Sequence, residues 1–349
     1  MVGMADLALR GMLAVAFGPS TMAEALAGLP RIRAAADCVE LRLDLFEEPF
    51  DLPALLAACD GLPVVATLRP PDEGGKSPLP AAERLKVLLE AARLGAQYVD
   101  IEWNACSPQA LDAVRSQSAR VVLSRHDFAA MPPDLADRWP LELAELGGDV
   151  VKIVGAARDV RDCLQVFRAF RRADRPTIAI AMGEAGLMTR VLALREPYCL
   201  LTYAALGQST STAPGQLTLD EMRQTYRVER LRPTTRVFGL LGPHAEPARL
   251  AEYNGWFCDS EWDGVAVPFV AGSDAAGIVS AFRELPVSGW HIHGPDLQAE
   301  VVSTLDELAP SATRQNKVNG IVRDPEGGLI GHWVESPREQ YDVWLNSAR

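Results

Sequence analysis

The sequence contains little lysine, no paired cysteine motif and no apolar run long enough to cross a membrane. Lysine and arginine together number 34, only four of these are lysines, and the formal net charge is −12. A chain this acidic offers no basic surface to nucleic acid, and the lack of a long apolar run argues against a membrane partner. A small anionic substrate would therefore need arginines gathered at one place.

The six cysteines occur singly, with no C-x-x-C pair. We expect neither a zinc site nor a disulfide framework, and a reducing cytoplasm fits this usage. The apolar stretch 13–17 lacks the flanks of a signal peptide and is interpreted as a first buried strand. At 349 residues, 48% hydrophobic and 23% charged, the chain is predicted to be globular. These totals are compatible with a homodimer but do not fix the oligomeric state.

Short apolar segments alternate with amphipathic ones over the first two thirds of the chain. The helical patterns include 81–94, 108–117 and 160–172, and eight candidate strands lie at 13–17, 38–44, 63–69, 98–103, 120–128, 150–155, 177–182 and 199–204. Eight strands and their helices within this length predict a (β/α)8 TIM barrel of the α/β class. A doubly wound open sheet has the same local pattern, so periodicity alone does not decide between the two.

A polar, proline-containing segment at 230–235 is predicted to link two domains, 1–232 and 233–349. After it a new strand pattern begins at 237–242, and glycine and proline become more frequent. We therefore expect a smaller α/β domain after the barrel.

Lys152 interrupts an apolar run, Val-Val-Lys-Ile-Val at 150–154. Such a run is typical of a parallel strand buried on both faces. Burial of an unpaired ammonium is costly, so this lysine is expected either to be a neutral amine, as Schiff-base chemistry requires, or to pair with a carboxylate. A lysine that reaches solvent from the strand end is the structural alternative.

His126 is the only histidine before the linker, and it ends the apolar run 121–126. A lone histidine near a strand is often structural. In a barrel, however, it would lie at the carboxyl end of the fifth strand, beside Lys152 on the sixth, where active sites form. An imidazole beside an imine-forming lysine can remove an α-proton.

Further charged residues are predicted on other strands or just after them, and they include three arginines suited to a carboxylated, polyhydroxylated substrate. They are Glu40 and Arg42 on the second strand, Arg69 at the end of the third, Glu102 near the end of the fourth, and Arg190 after the seventh.

Six ordered segments resemble the type I 3-dehydroquinate dehydratases across about the first 225 residues. They are Val-Glu-Leu-Arg-Leu-Asp at 39–44, Thr-Leu-Arg at 67–69, Asp-Ile-Glu at 100–102, Ser-Arg-His-Asp-Phe at 124–128, Val-Lys-Ile at 151–153 and Ala-Pro-Gly-Gln at 213–216. The resemblance implies a (β/α)8 barrel that dehydrates 3-dehydroquinate to 3-dehydroshikimate in the shikimate pathway, without metal or organic cofactor.

The same resemblance implies a role for each matching residue. Lys152 would form the imine with the substrate ketone, His126 would shuttle protons, and Glu102 would orient His126. Arg190 would bind the substrate carboxylate, while the substrate hydroxyls would be held by Glu40, Arg42, Arg69 and Gln216. The family commonly has serine where this chain has Thr212, which keeps a hydroxyl for the substrate hydrogen bond and is expected to bind substrate. Its extra methyl group and the slightly longer segment 207–211 are expected to change lid closure and affinity.

The second domain resembles the substrate-binding half of shikimate dehydrogenase, with its catalytic positions replaced. Leu297 stands where the family has its catalytic lysine, and Glu335 stands where it has aspartate. No Gly-x-Gly-x-x-Gly fingerprint follows before the last printed residue, so no dehydrogenase activity is expected. His291 and His293 are interpreted as packing residues rather than metal ligands.

Two other functions stay open at this stage. A lysine–imine barrel enzyme of aldolase type would share Lys152 and ignore 3-dehydroquinate. Alternatively, the second domain would be a sensor that binds a shikimate-like ligand and modulates the barrel or a partner.

Overall fold

The computed structural model describes residues 11–207, 212–213 and 215–347. Its first part contains eight parallel strands: β1 Met12–Phe17, β2 Cys38–Arg42, β3 Val64–Thr67, β4 Tyr98–Glu102, β5 Arg120–Asp127, β6 Val150–Ala156, β7 Thr177–Met182 and β8 Leu201–Ala204. They are hydrogen-bonded in the order β7-β6-β5-β4-β3-β2-β1-β8. A parallel bridge between Thr177 and Cys199 brings β7 to the start of β8, so the barrel is nearly closed. The predicted TIM barrel is confirmed over the open sheet.

Helices surround this barrel: α1 Met22–Ala35, α2 Leu52–Cys59, α3 Ala81–Arg93, α4 Pro108–Arg115, α5 Trp139–Glu145, α6 Cys163–Arg172 and α7 Leu187–Leu192. Thr21, Asp51 and Ser107 each accept the backbone N–H three residues on, which satisfies a donor that the first turn leaves unpaired. Local sequence thus fixes where three of these helices begin.

Alternate strand residues build two apolar layers, as the period of two requires. Val65, Val122 and Ile178 lie inside the barrel, whereas Val64, Val121 and Ala179 pack outward against the helices. Near the carboxyl ends of the strands, charged side chains join these apolar ones in the interior, and they form the site described below.

Several predicted strands extend past the paired segment. The candidates 38–44 and 63–69 end as strands at Arg42 and Thr67, and residues 43–45 form a 3-10 turn. At these ends the chain leaves the sheet for the loops of the barrel mouth, which a hydrophobic pattern does not register. Arg69 consequently lies just beyond β3 rather than on it.

The second part is a mixed six-stranded sheet in the order β10-β9-β11-β13-β14-β12. Its strands are β9 Arg236–Gly242, β10 Gly264–Val270, β11 Val287–Ile292, β12 Glu307–Leu308, β13 Gly320–Arg323 and β14 Leu329–His332. Its helices are α8 Pro247–Asp259, α9 Ala275–Ala281, α10 Pro295–Glu300, α11 Pro310–Gln315 and α12 Pro337–Ser347. A smaller α/β unit therefore follows the barrel, as predicted. None of the helices built from described residues has the length and apolar character to cross a bilayer.

The second sheet packs against α6 and α7 of the barrel. Met188 of α7 and Phe269 of β10 line a cavity of about 170 Å³ between the two units. Two ion pairs also join the units, Arg161 to Asp274 at 2.6 Å and Arg168 to Glu284 at 2.8 Å. One face of α7 is thus covered by the second sheet.

Candidate active site

Lys152 lies on β6 with its side chain inside the barrel, and it is 4% exposed. Its Nζ donates to Glu40 Oε1 at 3.0 Å and to Asp100 Oδ2 at 2.8 Å. Of the alternatives that the sequence left open, the structure shows the pairing with carboxylates. The pairing satisfies the charge that burial would otherwise penalise.

The two carboxylates beside Lys152 are held in their charged form. Burial acts to raise the pKa of Glu40, but the positive charges of Lys152, Arg42 and Arg69 together outweigh it and lower that pKa. Asp100 is fully buried, and Arg69 together with Lys152 overcomes the burial effect and lowers its pKa. Asp100 also accepts from Arg69 at 2.7 Å and from the Ser124 hydroxyl at 2.6 Å.

His126 sits at the barrel mouth, and its partner is Glu73. Its Nδ1 is 2.9 Å from Glu73 Oε2, and the same oxygen accepts the His126 backbone N–H at 3.0 Å. Burial, with help from Arg69 and Lys152, lowers the pKa of His126 well below its usual value. Burial raises the pKa of Glu73 to about 7. His126 and Glu73 therefore form a buried, coupled pair.

Glu102 does not take the place that we expected beside His126. Arg84 of α3 donates to its Oε2 at 3.0 Å, and Arg69 NH1 lies 3.6 Å from its Oε1. Since Arg69 also lies 3.2 Å from His126 Nδ1, the link from Glu102 to His126 runs through a guanidinium. The expectation is corrected: the carboxylate that touches His126 is Glu73.

The remaining expected site residues converge on one cavity of about 90 Å³ at the carboxyl ends of the strands. It is lined by Lys152 and His126 together with Glu40, Arg42, Arg69, Arg190, Thr212 and Gln216, and Glu102 is not among its lining residues. The cavity thus brings together residues from β2, β5, β6, α7 and the loops after β3 and β8.

Positive charge is concentrated around this cavity in a strongly acidic protein. Arg190 is 2% exposed, and burial lowers its pKa only to about 10, so it remains a guanidinium at neutral pH. Arg42 forms a bidentate pair with Asp44 at 2.9 and 2.7 Å, which fixes the direction of its side chain. Such guanidinium groups suit a substrate carboxylate or hydroxyl.

Thr212 and Gln216 contact each other, because Gln216 Oε1 accepts the Thr212 backbone N–H at 3.0 Å. The Thr212 hydroxyl lies 3.4 Å from the same oxygen. The predicted extra length of the segment 207–211 falls largely on 208–211, which lie outside the described residues.

Four residues of the site were missed by the sequence reasoning: Glu73, Asp100, Ser124 and Tyr203. Asp100 and Ser124 share a strand face with Glu102 and His126, so the alternation of β4 and β5 contained the signal. Glu73 lies in the loop after β3, where periodicity carries no information. Its neighbour Gly74 has φ +79° and leaves room for the Phe128 ring, which stacks on His126 with centroids 5.7 Å apart.

Leu297 and Glu335, the positions at which we expected dehydrogenase residues to be replaced, have different surroundings in the second unit. Leu297 is buried in the apolar core, and Glu335 is an exposed acceptor for the Trp333 indole at 2.8 Å. His291 is buried against the Tyr253 hydroxyl, and burial lowers its pKa to about 3. Among the described residues no group of three or more ligands is arranged for a metal ion.

A family model described as Type I 3-dehydroquinase matches residues 13–233. A bifunctional 3-dehydroquinate dehydratase/shikimate dehydrogenase of Arabidopsis thaliana is 31% identical over 305 residues, which are 85% of this chain and 50% of the relative. The chain thus spans half the length of that relative. The 3-dehydroquinate dehydratase of Thermococcus gammatolerans is 36% identical over 192 residues, 54% of this chain and 86% of its own.

Two solved structures resemble the fold. The 3-dehydroquinate dehydratase from Geobacillus kaustophilus has a TM-score of 0.57 at 25% identity, and the match covers 62% of this chain and 90% of that one. The dehydroquinate dehydratase and shikimate dehydrogenase from S. pombe has a TM-score of 0.52 at 24% identity. That match covers 97% of this chain and 67% of the other, so it includes the second sheet.

Proposed function

The chain belongs to the type I 3-dehydroquinase family, and from this we propose that it removes water from 3-dehydroquinate to give 3-dehydroshikimate through an imine on Lys152. One observation carries the proposal. A buried lysine, a histidine of lowered pKa and three arginines line a single cavity at the carboxyl end of the barrel. This set offers a nucleophile, a base and anion-binding groups together.

In the proposed reaction the Lys152 amine, after losing its proton, attacks the substrate ketone carbon, and water leaves as the imine forms. The imine withdraws electrons from the adjacent carbon, so the α-proton there becomes removable. His126 takes that proton, the electron pair forms the new carbon–carbon double bond, and the β-hydroxyl leaves as water with a proton from His126. Hydrolysis of the imine returns the amine and the conjugated ketone.

Glu73 is proposed to decide which form of His126 is present. Above its pKa of about 7, Glu73 is a carboxylate that accepts the Nδ1–H, which leaves Nε2 free to take a proton. Below that pKa, a protonated Glu73 donates to Nδ1, the ring hydrogen moves to Nε2, and the base is lost. Activity should therefore rise as the pH increases through about 7.

The test combines an ultraviolet assay for the conjugated product with borohydride trapping in the presence of 3-dehydroquinate. Because only four lysines are present, peptide mass spectrometry identifies the labelled residue without ambiguity. We expect the label on Lys152, and its loss in Lys152→Ala. Lys86→Ala, which changes an exposed lysine paired with Glu83, is the matched control and should leave labelling intact. A trapped adduct elsewhere would overturn the mechanism, and turnover of another carbonyl substrate in place of this one would favour an aldolase.

For the second unit, residues 233–349, we propose that it lacks dehydrogenase activity. Where the resemblance implies the catalytic lysine, this chain has Leu297, which is buried in the apolar core. The decisive measurement is nicotinamide-cofactor reduction by the full chain with shikimate, for which we expect no rate above background. We also propose a reducing compartment such as the cytoplasm, because all six cysteines are free thiols.

A further inference from the structure

Trp103 contacts the same carboxylate that holds His126. Its indole Nε1 donates to Glu73 Oε1 at 3.1 Å, while Glu73 Oε2 faces His126. The two oxygens of one carboxylate thus join the tryptophan to the base. Trp103 itself is 38% exposed and lies in a short turn directly after β4, outside the cavity lining.

The position of the Trp103 ring is fixed from its other side by Arg125. The guanidinium carbon lies 4.5 Å from the Trp103 ring centre and 4.2 Å from that of Trp139. Arg125 is in turn paired with Glu142 at 2.7 Å. A cation stacked between two indoles restrains a half-exposed side chain that would otherwise sample several rotamers.

We propose that Trp103 is a positioning residue for the dehydration reaction: its indole N–H favours the carboxylate form of Glu73 and thereby the base form of His126. The inference rests on the proposed function. An N–H bond to a charged oxygen is stronger than one to a neutral acid, so it shifts the equilibrium toward the carboxylate. Burial acts on Glu73 in the opposite direction.

Other groups face this pair and remain when Trp103 is changed. Around Glu73 they are Arg69, Glu102 and the backbone N–H of His126. Around the His126 ring they are Arg69, Lys152, Asp100 and Arg42. Replacing only the indole N–H therefore isolates the contribution of Trp103 to the charge state of Glu73.

The experiment is Trp103→Phe, which keeps an aromatic ring for Arg125 and removes the N–H. We expect the ascending limb of the kcat/KM profile to move up by about one pH unit, which is the size of a typical charged hydrogen bond. At pH 7 the rate should fall several-fold, and at high pH it should return close to that of the parent protein. An equal loss at every pH would indicate a packing role and would overturn the proposal.

Two control variants separate the contact from general effects. Trp333→Phe removes another indole–carboxylate bond, to Glu335 in the second sheet, and should leave the profile unmoved. Trp139→Phe changes the other indole stacked on Arg125 and should also leave the limb in place. In a protein that already carries Glu73→Gln, adding Trp103→Phe should cause no further loss of kcat/KM. Additive losses of kcat/KM would contradict an action of Trp103 through Glu73.

A second readout does not depend on turnover. With isotope-labelled histidine, nuclear magnetic resonance follows the His126 ring, identified by its absence in His126→Ala. The nitrogen shifts of the ring report which nitrogen carries the hydrogen, and in the proposed mechanism that hydrogen moves from Nε2 to Nδ1 as Glu73 ionises. Trp103→Phe should therefore raise the pH of this change by about one unit. An unchanged pH would overturn the inference even in a protein without dehydratase activity, whereas a raised pH without turnover would refute only the proposed function.

Discussion

Glu73 is the residue at which the site departs from the sequence-based expectation, and it allows a paired test with Glu102. Glu73→Gln keeps the side-chain volume but cannot become a carboxylate, so Nδ1 loses its charged acceptor. We expect kcat to fall by about 100-fold with a small change in KM, which is within the range for general acid–base catalysis. The measurement is steady-state kinetics at pH 8, where the parent Glu73 is ionised.

Glu102→Gln is the matched control, because it makes the same change at a carboxylate that pairs with Arg84 and Arg69 instead of His126. Its kcat should fall much less than that of Glu73→Gln, because Glu102 reaches His126 only through Arg69. If the two variants exchanged these phenotypes, the geometry described for His126 would be wrong.

Arg190 provides a test of substrate binding rather than proton transfer. Its guanidinium lines the cavity from α7, and a charge-assisted bond to a carboxylate is worth about 1.5–3 kcal/mol. Arg190→Gln should therefore raise KM by about 10- to 100-fold while kcat at saturation changes less. Arg172→Gln, an exposed residue of α6 paired with Asp137, should change neither constant.

At the scale of strands and helices, the sequence was sufficient for the barrel but not for every side chain at its mouth. Lys152 was found because it interrupts an apolar strand, where burial of a charge is costly, and His126 was found because it ends such a strand beside Lys152. Asp100 and Glu102 lie on the same face of β4. The alternation of the strand therefore does not tell which of them contacts Lys152 and which pairs with Arg84. Glu73 lies in a loop, and its approach to His126 depends on tertiary packing that no local pattern contains.

Helix α7 links the active-site cavity to the second unit, since one of its faces carries Arg190 and another meets the second sheet. Met188 is 1% exposed and lines the cavity shared with Phe269 of β10. Met188→Ala should cost about 2–5 kcal/mol of unfolding free energy. Because Arg190 lies two residues further along a short helix, we also expect KM to rise. Urea unfolding and steady-state kinetics measure the two effects separately.

Leu29→Ala is the matched control for α7, as Leu29 is fully buried in α1 and does not line the active-site cavity. It should lose similar stability with no change in KM. A rise in KM for both variants would mean that any loss of stability disturbs the site, and the specific support of α7 by the second sheet would be refuted.

At the scale of the whole molecule, the second unit has a dense core of its own. Trp344, Phe238 and Tyr253 are fully buried there. The Trp344 ring stacks on Phe238 with centroids 4.5 Å apart and meets Tyr253 at a tilt with centroids 4.8 Å apart. Such aromatic contacts stabilise a fold independently of any chemistry. The second unit also contacts the mouth of the barrel, where Glu184 after β7 accepts the Ala245 backbone N–H at 3.3 Å. Structural support of the barrel is therefore a role that the core and these contacts can supply.

The same core predicts how stability depends on pH. The folded-state pKa of His291 is lowered to about 3 by burial, whereas an unfolded histidine titrates near 6.5. Below pH 6.5 the unfolded chain therefore binds a proton that the folded chain does not, so stability is lost as the pH falls from about 6.5 towards 3. Glu73, with its raised pKa, contributes in the opposite sense between about 7 and 4.3, so the comparison must be made between variants.

We expect His291→Gln to be less stable than the parent at pH 7.5, because the Tyr253 contact changes, but to lose stability less steeply on acidification. The difference in slope should approach 1.4 kcal/mol per pH unit, about the value for one proton, between pH 6 and 4. Urea unfolding at each pH gives the two curves, and His244→Gln, at an exposed loop position, is the control whose slope should match that of the parent. Parallel curves for His291→Gln and the parent would show that this histidine is charged in the folded protein, contrary to its burial against Tyr253.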